Sequence, residues 1–413
     1  MNACIITIGN ELLNGNTIDT NSVWLGKQLD KLNIVVSEKL TIPDDSLMIE
    51  KSIIGISSRE FDYIFITGGL GPTHDDITKS VVKKILNSDE YFDEKYFNEL
   101  KLKFQKRNLK ISNINKEQAI ILSKCNPIKN PMGTALGIEF QLNKSQVFIM
   151  PGVPSEMKAM IKEIIFPKYF KNFDEVENNI TILTAGSHES YIAEKIDDLI
   201  KLYKKEIKIA FLPRYTGVNI RLSILENKYL DRLIEFKKNI TKRLGKIVYG
   251  YNSDKLEEIV GKILLEKKLT ISLAESCTGG YLSKKITNNP GSSKYFIGSL
   301  IAYNNSIKEK ISVSKDKLDS FGAVSKEVVV AMANGIKDEF STDIGFSISG
   351  ISGPSGGSKD KDVGLVHMAL AYKNKIIHRK FNFIPKRNLH RKISTEVALN
   401  IIRLFLMDKD NEF

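Results

Sequence analysis

YIFITGGLGPTHDDIT, residues 63–78, decides the reading of the first part of the chain. YIFIT is a short apolar run with the length and composition of a buried strand. It ends in Gly68, Gly69 and Gly71, and a helix is predicted from about Asp75. Upstream, CIITIG closes a second such run in Gly9, and NIVVSEKLTI supplies a third. Between them, DTNSVWLGKQLDKLN places Val23, Leu25, Leu29 and Leu32 at helical spacing, with Asp19 as its cap. Residues 44–57 read as a shorter helix. Strands alternating with helices predict a parallel sheet covered on both faces. Ligands of such sheets bind at the C-terminal strand ends. Those ends here carry GNELLNG and GGLGPTHDD, and the domain is predicted to close near residue 170, after PSEMKAMIKEIIF.

Two further segments follow. Residues 171–253 give a strand (NITILTAG), an amphipathic helix (HESYIAEKIDDLIKLYKK), two strands (IKIAFLP, GVNIRLSIL) and a second helix (YLDRLIEFKKNITKRLG), a small α+β unit. Residues 254–413 alternate again: helix 255–267, strand LTISLA, a helix after ESCTGG, strand SLIAY, helix 325–339, strand IGFSISG, strands GLVHMALAY and KIIHRKFNF, and a long helix over 386–407. The expectation is an α/β protein of three domains, 1–170, 171–253 and 254–413. No internal repeat or low-complexity linker interrupts them.

Composition bounds the function. Hydrophobic residues at 42% and charged residues at 27% exclude wholesale disorder and fibrous repeats. No run reaches the roughly 18 apolar residues of a membrane-spanning helix. The N-terminus has no basic region before its apolar stretch, so a secretory signal is not expected. Cys4, Cys125 and Cys277 lie far apart without a CxxC, which supports neither a disulfide framework nor a zinc site and fits a reducing cytoplasm. The net charge of +12 is spread: the three segments carry excesses of +1, +4 and +7. The densest run (Lys101, Lys103, Lys106, Arg107 and Lys110, on a predicted helix) reads as a solvated face, so a nucleic-acid partner is not expected.

Chemistry concentrates at the strand ends. Glycines between a strand and a helix let backbone N–H groups approach a phosphate closely. Thr73 and Thr78 add hydroxyls, and Asp75 and Asp76 add hard oxygen ligands suited to Mg²⁺ bridging phosphates. Glu11, on the loop after the first strand, faces the same crevice as a third carboxylate. In the last segment, AESCTGGYLSKKI places Ser276 on a strand-to-helix turn, where a hydroxyl can act as a nucleophile beside free N–H groups. Cys277 reads as a packed thiol. None of His74, His188, His367, His378 and His390 stands in a recognisable triad motif with Ser276, so a Ser–Lys arrangement is the alternative, with Lys308 of IAYNNSIKEKI as the base. A third loop, SISGISGPSGG at 347–357, carries Ser349 and Gly350, Gly353, Gly356 and Gly357, a backbone able to wrap a phosphate or carboxamide.

These stretches resemble the CinA family. ITIGNELLNG with DTN, TGGLGPTHDD, Asn115 with Gln118–Ala119, NPMGTALG (130–137) and PGVPSEM (151–157) are similar to its N-terminal domain, which is related to the molybdopterin-binding fold. The resemblance implies an ADP-ribose pyrophosphatase using a divalent metal, Mg or Co. Gly68, Gly69, Gly71, Thr73 and Asn21 would bind the nucleotide, and Asp75, Asp76 and Glu11 the metal. ESCTGG, YNNSIK, GAVS (322–325) and SGISGPSGG resemble the family's C-terminal domain, in many bacteria a nicotinamide mononucleotide deamidase. Carried over, Ser276 is the nucleophile, Lys308 its base and Tyr303 a neighbour that orients or relays the proton. Glu275, Thr278, Gly279, Gly280, Ser349 and the glycine loop would hold substrate. The middle segment looks like the family's KH-like domain. Its glycines (186, 217, 245 and 250) form no GxxG clamp, so RNA binding by that route is disfavoured and a structural or dimerising role is expected. The sequence thus points to a cytoplasmic, homodimeric hydrolase of two nucleotides. The alternatives are a molybdopterin-binding or biosynthetic protein, and a competence-related nucleic-acid-associated protein.

Overall fold

The computed structural model describes residues 1–71, 73, 76–106, 108, 110–170, 179–224 and 226–408. They fall into two compact units, Met1–Glu177 and Asn178–Phe413.

The first unit is built on strands β1 (Asn2–Ile8), β2 (Val35–Ile42), β3 (Tyr63–Thr67), β4 (Glu90–Phe92), β5 (Ile120–Leu122), β6 (Asn126–Ile128), β7 (Gly137–Leu142) and β8 (Ser145–Met150). Six of them form one sheet in the order β2-β1-β3-β8-β7-β6, and β4 and β5 pair as a separate ribbon. The β2-β1-β3-β8 stretch is parallel, as the strand–helix alternation requires. The β8-β7-β6 stretch is antiparallel, which corrects the expectation of an all-parallel sheet. β7 and β8 are joined by a tight turn, a connection that permits only antiparallel pairing.

Alternate residues of each strand feed opposite faces. Cys4, Ile6 and Ile8 pack with Ile49, Ile53, Val81 and Val82 on one side. Ala3 and Ile5 pack with Leu25, Leu29, Met157 and Met160 on the other. The Thr20–Lys31 helix is capped by Asp19, whose carboxylate accepts from the Ser22 amide at 2.9 Å. Its buried face is Asn21, Ser22, Leu25 and Leu29, and Val23 points to solvent.

The second unit has two parts. β9 (Asn179–Thr184), β10 (Ile207–Arg214), β11 (Gly217–Ile224) and β12 (Val248–Tyr251) form an antiparallel sheet in the order β10-β11-β9-β12. The helices Glu189–Tyr203 and Leu230–Leu244 cover it, with the Tyr203 and Phe236 rings stacked 4.4 Å apart. This is the KH-like fold. The rest is a sheet β14-β13-β15-β16-β17, from β13 (Ile271–Glu275), β14 (Phe296–Ile301), β15 (Ile344–Gly350), β16 (Leu365–Tyr372) and β17 (Lys375–Asn382). Its first three strands are parallel and its last two antiparallel.

Helices Leu256–Glu266 and Arg387–Asp408 pack on one face of that sheet and Lys326–Glu339 on the other. Arg403, fully buried in the long helix, donates to the carbonyls of Lys246 and Val248 and so joins this helix to the KH-like part. Among the described residues no helix is long and apolar enough to cross a membrane.

Candidate functional site

Parallel strands β13, β14 and β15 bring three loops to one sheet edge: the turn after β13 with Ser276, the segment after β14 with Tyr303 and Lys308, and the glycine loop after β15. Ser276 is fixed by its backbone N–H, which donates to Ile348 at 2.9 Å. Its hydroxyl has no partner among the described residues. The neighbouring Thr278 hydroxyl is buried and likewise unpartnered, and no hydrogen bond from the Thr278 amide is found among the described residues.

Lys308 is 1% exposed. Its Nζ donates to the carbonyls of Ala302 (2.8 Å) and Tyr303 (3.2 Å), and no carboxylate pairs with it among the described residues. Burial lowers its pKa from the ordinary 10.5, and Cys277, the residue after Ser276, lies near it. An uncharged amine has two N–H groups. The two carbonyls take both, which leaves the lone pair free. Cys277 itself is pushed up to about 12 by burial and is inert as a thiolate at neutral pH, the packed thiol expected of it.

Two of the expected binding residues have other duties. Glu275 is fully buried, and its carboxylate accepts from the amides of Gly280, Leu282 and Ser283 and from the Ser283 hydroxyl. It holds the turn and the start of the Tyr281–Thr287 helix, and faces no cleft. Ser349 is also buried, its hydroxyl donating to the Ala323 carbonyl at 2.8 Å. Gly279 and Gly280 form the turn at φ +57° and +86°, conformations that favour glycine. Gly350 abuts Val366, where a Cβ would come within 2.3 Å, so its smallness serves packing. Gly353 is buried, and Gly356 and Gly357 are exposed on the loop.

The first turn of the long C-terminal helix ties these loops together, and the sequence reading missed it. Arg387 donates to Tyr303 Oη (2.8 Å) and to the Gly353 carbonyl (3.1 Å). Arg391 donates twice to the Thr278 carbonyl. His390 Nδ1 meets the Ser352 hydroxyl at 2.9 Å and its Nε2 meets the Gly364 carbonyl at 3.1 Å. The Gly364 carbonyl can only accept, so Nε2 carries the proton, Nδ1 accepts, and Ser352 is the donor. Burial lowers the His390 pKa, which keeps the ring neutral. Positions 387, 390 and 391 are spaced i, i+3 and i+4, one helical face, and that spacing was the available signal.

In the first unit, the turn from Gly68 to Thr78 is locked by Thr78, whose amide donates to Gly69 O (3.1 Å) and whose hydroxyl donates to Gly68 O (3.2 Å). Gly69, at φ +68°, would place a Cβ 2.1 Å from Thr78 Oγ1, so only glycine closes this turn. Asp76 Oδ2 accepts from the Thr73 amide (2.9 Å) and hydroxyl (2.5 Å), and lies against Gly71. Thr73 thus commits its hydroxyl to Asp76. Asn21, expected to bind substrate, braces the strand ends: its Nδ2 donates to Thr67 Oγ1 and Gly152 O, and its buried Oδ1 has no partner among the described residues. Glu11 is exposed on the loop after β1. Asp75 lies outside the described residues.

A CinA-like protein of Dictyoglomus thermophilum is 35% identical to this chain over 410 residues, 98% of this chain and 99% of its own. The chain belongs to the CinA family. A CinA-like protein of Flavobacterium psychrophilum is 38% identical over 392 residues, 93% of each chain. Family models match in sequence order: a probable molybdopterin binding domain at 4–171, the damage-inducible protein CinA KH domain at 180–250, and the CinA C-terminal domain at 253–406. The crystal structure of the protein CinA from Thermoplasma acidophilum aligns to 40% of this chain and 96% of its own at 33% identity, with a TM-score of 0.36.

The divalent ion implied by that resemblance can be tested against the donors. Among the described residues no three His, Cys, Asp or Glu side chains converge as a cage. Asp76 keeps one oxygen free of the Thr73 bonds, and Glu11 is open to solvent. The free Asp76 oxygen and the exposed Glu11 carboxylate are each hard donors of the kind Mg²⁺ takes, one or two at a time, completing its shell with water and substrate phosphate.

Proposed function

We propose that this CinA-family chain is a hydrolase with two sites, a carboxamide-cleaving site in the second unit acting on nicotinamide mononucleotide and a pyrophosphate-cleaving site in the first acting on ADP-ribose. The observation that carries the reading is Lys308, a buried lysine without a carboxylate, its two N–H bonds going to carbonyls, close to the turn that presents the free Ser276 hydroxyl. Burial favours the uncharged amine, the form in which a lysine acts as a base.

Ser276 Oγ attacks the carboxamide carbon and its proton passes to Lys308 Nζ. In this reading the unbonded Thr278 amide, in the same turn as Ser276, would donate to the oxyanion that forms. The C–N bond then breaks, and the leaving nitrogen takes the proton from Lys308 and departs as ammonia. Water attacks the resulting ester with Lys308 again accepting a proton, releasing the carboxylate and restoring the Ser276 hydroxyl. Arg387 and Arg391 bring positive charge to the same edge, suited to a nucleotide phosphate.

In the first unit, the glycine turn offers backbone N–H groups to a pyrophosphate. Asp76 and Glu11, with Asp75 carried over by resemblance, would hold a divalent ion that draws charge from a phosphoryl oxygen and acidifies water. A homodimer of cytoplasmic location is part of this reading.

Ser276→Ala tests it. Ammonia release from nicotinamide mononucleotide is expected to fall by about 10³-fold or more, with ADP-ribose cleavage unchanged. A chelator is expected to do the reverse. Undiminished ammonia release in the variant would remove the assignment.

A further inference from the structure

A cavity of ≈ 750 Å³ lies within the second unit, where the KH-like part meets the middle of the Arg387–Asp408 helix. Ser276, Tyr303 and Lys308 are not among the residues that line it. Phe381, Phe383, Val397, Ile401 and Leu404 give it a half-buried apolar wall, the two phenyl rings stacked 5.3 Å apart. Most of its charges cancel in pairs. Glu396 is held by Arg214 (3.3 Å) and Thr216 (2.5 Å), Lys285 pairs with Glu257 (3.1 Å) and Lys255 with Glu258 (2.6 Å). Of the other acids, Asp254 accepts from the Tyr251 amide at 2.8 Å, and Glu189 is exposed. Arg379 is the cation left over. It donates to the His378 carbonyl (3.0 Å) and meets no carboxylate among the described residues.

Two sets of donors in this cavity are uncommitted. Asn400 lines it and is 9% exposed. Its Oδ1 accepts from Arg403 Nε (3.1 Å) and Nη2 (2.9 Å). Arginine only donates, so these bonds fix which end of the amide is oxygen. Nδ2 is left with no acceptor among the described residues. It lies against Gly186, where a Cβ would come within 3.1 Å of it. Gly186 leads into the Glu189–Tyr203 helix, the second source of donors. His188 caps that helix by accepting from the Tyr191 amide, and the Glu189 and Ser190 amides make no hydrogen bond among the described residues. A helix N-terminus favours negative charge, and a buried amide N–H₂ beside it asks for an acceptor. We propose that this cavity is a second small-molecule site of the unit, for an anionic head, phosphate or carboxylate, on a flat apolar body. The head takes Asn400 Nδ2 and the helix amides, and the body lies along the apolar wall. Arg379, on the same strand face as Phe381, adds positive charge. The volume falls within the roughly 300–1,000 Å³ of small-molecule sites. The inference does not depend on the hydrolase reading, because the Ser276 edge contributes nothing to the cavity.

The test is calorimetric, on the full chain in metal-free buffer, with phenyl phosphate, benzoate, inorganic phosphate and phenol as probes. One of the two aromatic anions is expected to bind roughly tenfold or more tightly than inorganic phosphate and phenol, and the one that does assigns the head. Asn400→Asp keeps the oxygen that Arg403 needs and replaces the free donor by a negative charge. It is expected to weaken that probe roughly tenfold or more while the melting temperature holds. Arg379→Met, at an exposed position, is expected to weaken it by about threefold or more, and takes the place of the first variant should that one fold poorly. Ser276→Ala is expected to bind the probe within about twofold of the wild type. Inorganic phosphate or phenol binding as tightly as both aromatic anions, or unchanged affinity in a folded Asn400→Asp, overturns the proposal. An equal loss in Ser276→Ala does the same, since the probe then sits at the Ser276 edge.

Discussion

The turn at Ser276 and the turn at Gly68–Thr78 occupy the same place in two α/β sheets, yet they are built on opposite principles. Around Ser276 the one carboxylate and the one lysine of the turn are buried: Glu275 accepts four hydrogen bonds from its own turn and Lys308 gives two to carbonyls. Around Gly68–Thr78 the two described carboxylates are more open: Glu11 is exposed, and among the described residues Asp76 accepts from Thr73 through one oxygen. In the proposed reading the difference follows from where the catalytic charge comes from. A site that uses its own lysine as base must dry that lysine to keep it neutral. A site that borrows charge from a hard cation must leave its carboxylates ionised and reachable, since the cation arrives with water.

The largest effect that would sharpen this contrast concerns Lys308. Burial lowers its pKa from 10.5, so the neutral base persists to lower pH than in a free lysine. Ammonia release is expected to fall as pH drops through that lowered pKa, because protonation fills the lone pair. Lys308→Met is expected to lose about 10²–10⁴-fold in kcat/KM, and the acidic limb with it. A pH–rate profile checks both, and the pyrophosphate activity should keep its own profile. A variant with normal turnover would break the comparison at its root.

Much of this arrangement was legible in the chain. Periodicity placed the strands and helices of both α/β parts, and the strand-end glycines pointed to the two candidate sites. Strand direction in the first unit was missed because β7 and β8, two strands joined through Asn143 and Lys144 alone, were not separated in the sequence, and that short connection permits only antiparallel pairing. Side-chain facing was not legible either. Glu275 and Ser349 stand beside the expected nucleophile and loop, but the first turns toward amides five to eight residues ahead and the second toward Ala323. The helix turn at Arg387, His390 and Arg391 was missed because its partners are remote: Tyr303 is 84 residues away and Thr278 is 113.

The next effect is on stability and compares the two turns directly. Glu275→Gln replaces one carboxylate oxygen by an NH₂ that faces two of the four donors, either the Gly280 and Leu282 amides or the Ser283 amide and hydroxyl. A loss of about 2–4 kcal/mol in unfolding free energy is expected, since a buried charge-assisted network is left partly unpaired. Asp76→Asn, in metal-free buffer, replaces a half-buried carboxylate that accepts from one residue, and about 1 kcal/mol is expected. Denaturant melts of both variants measure the gap. Equal losses would mean that the first unit's turn is as tightly committed as the second's.

The smallest effect separates a brace from a ligand. Ser349 follows Ile348, the residue whose carbonyl fixes Ser276, and its hydroxyl holds Ala323. If that is its duty, Ser349→Ala leaves one buried carbonyl unpaired and costs about 1 kcal/mol of stability, with kcat and KM for nicotinamide mononucleotide changing no more than a few-fold. Were the hydroxyl to bind substrate, the melt would barely move and KM would rise instead. The two outcomes appear in different measurements, so the variant decides whether the loop after β15 grips the substrate through Ser349 or shapes the edge on which Ser276 stands.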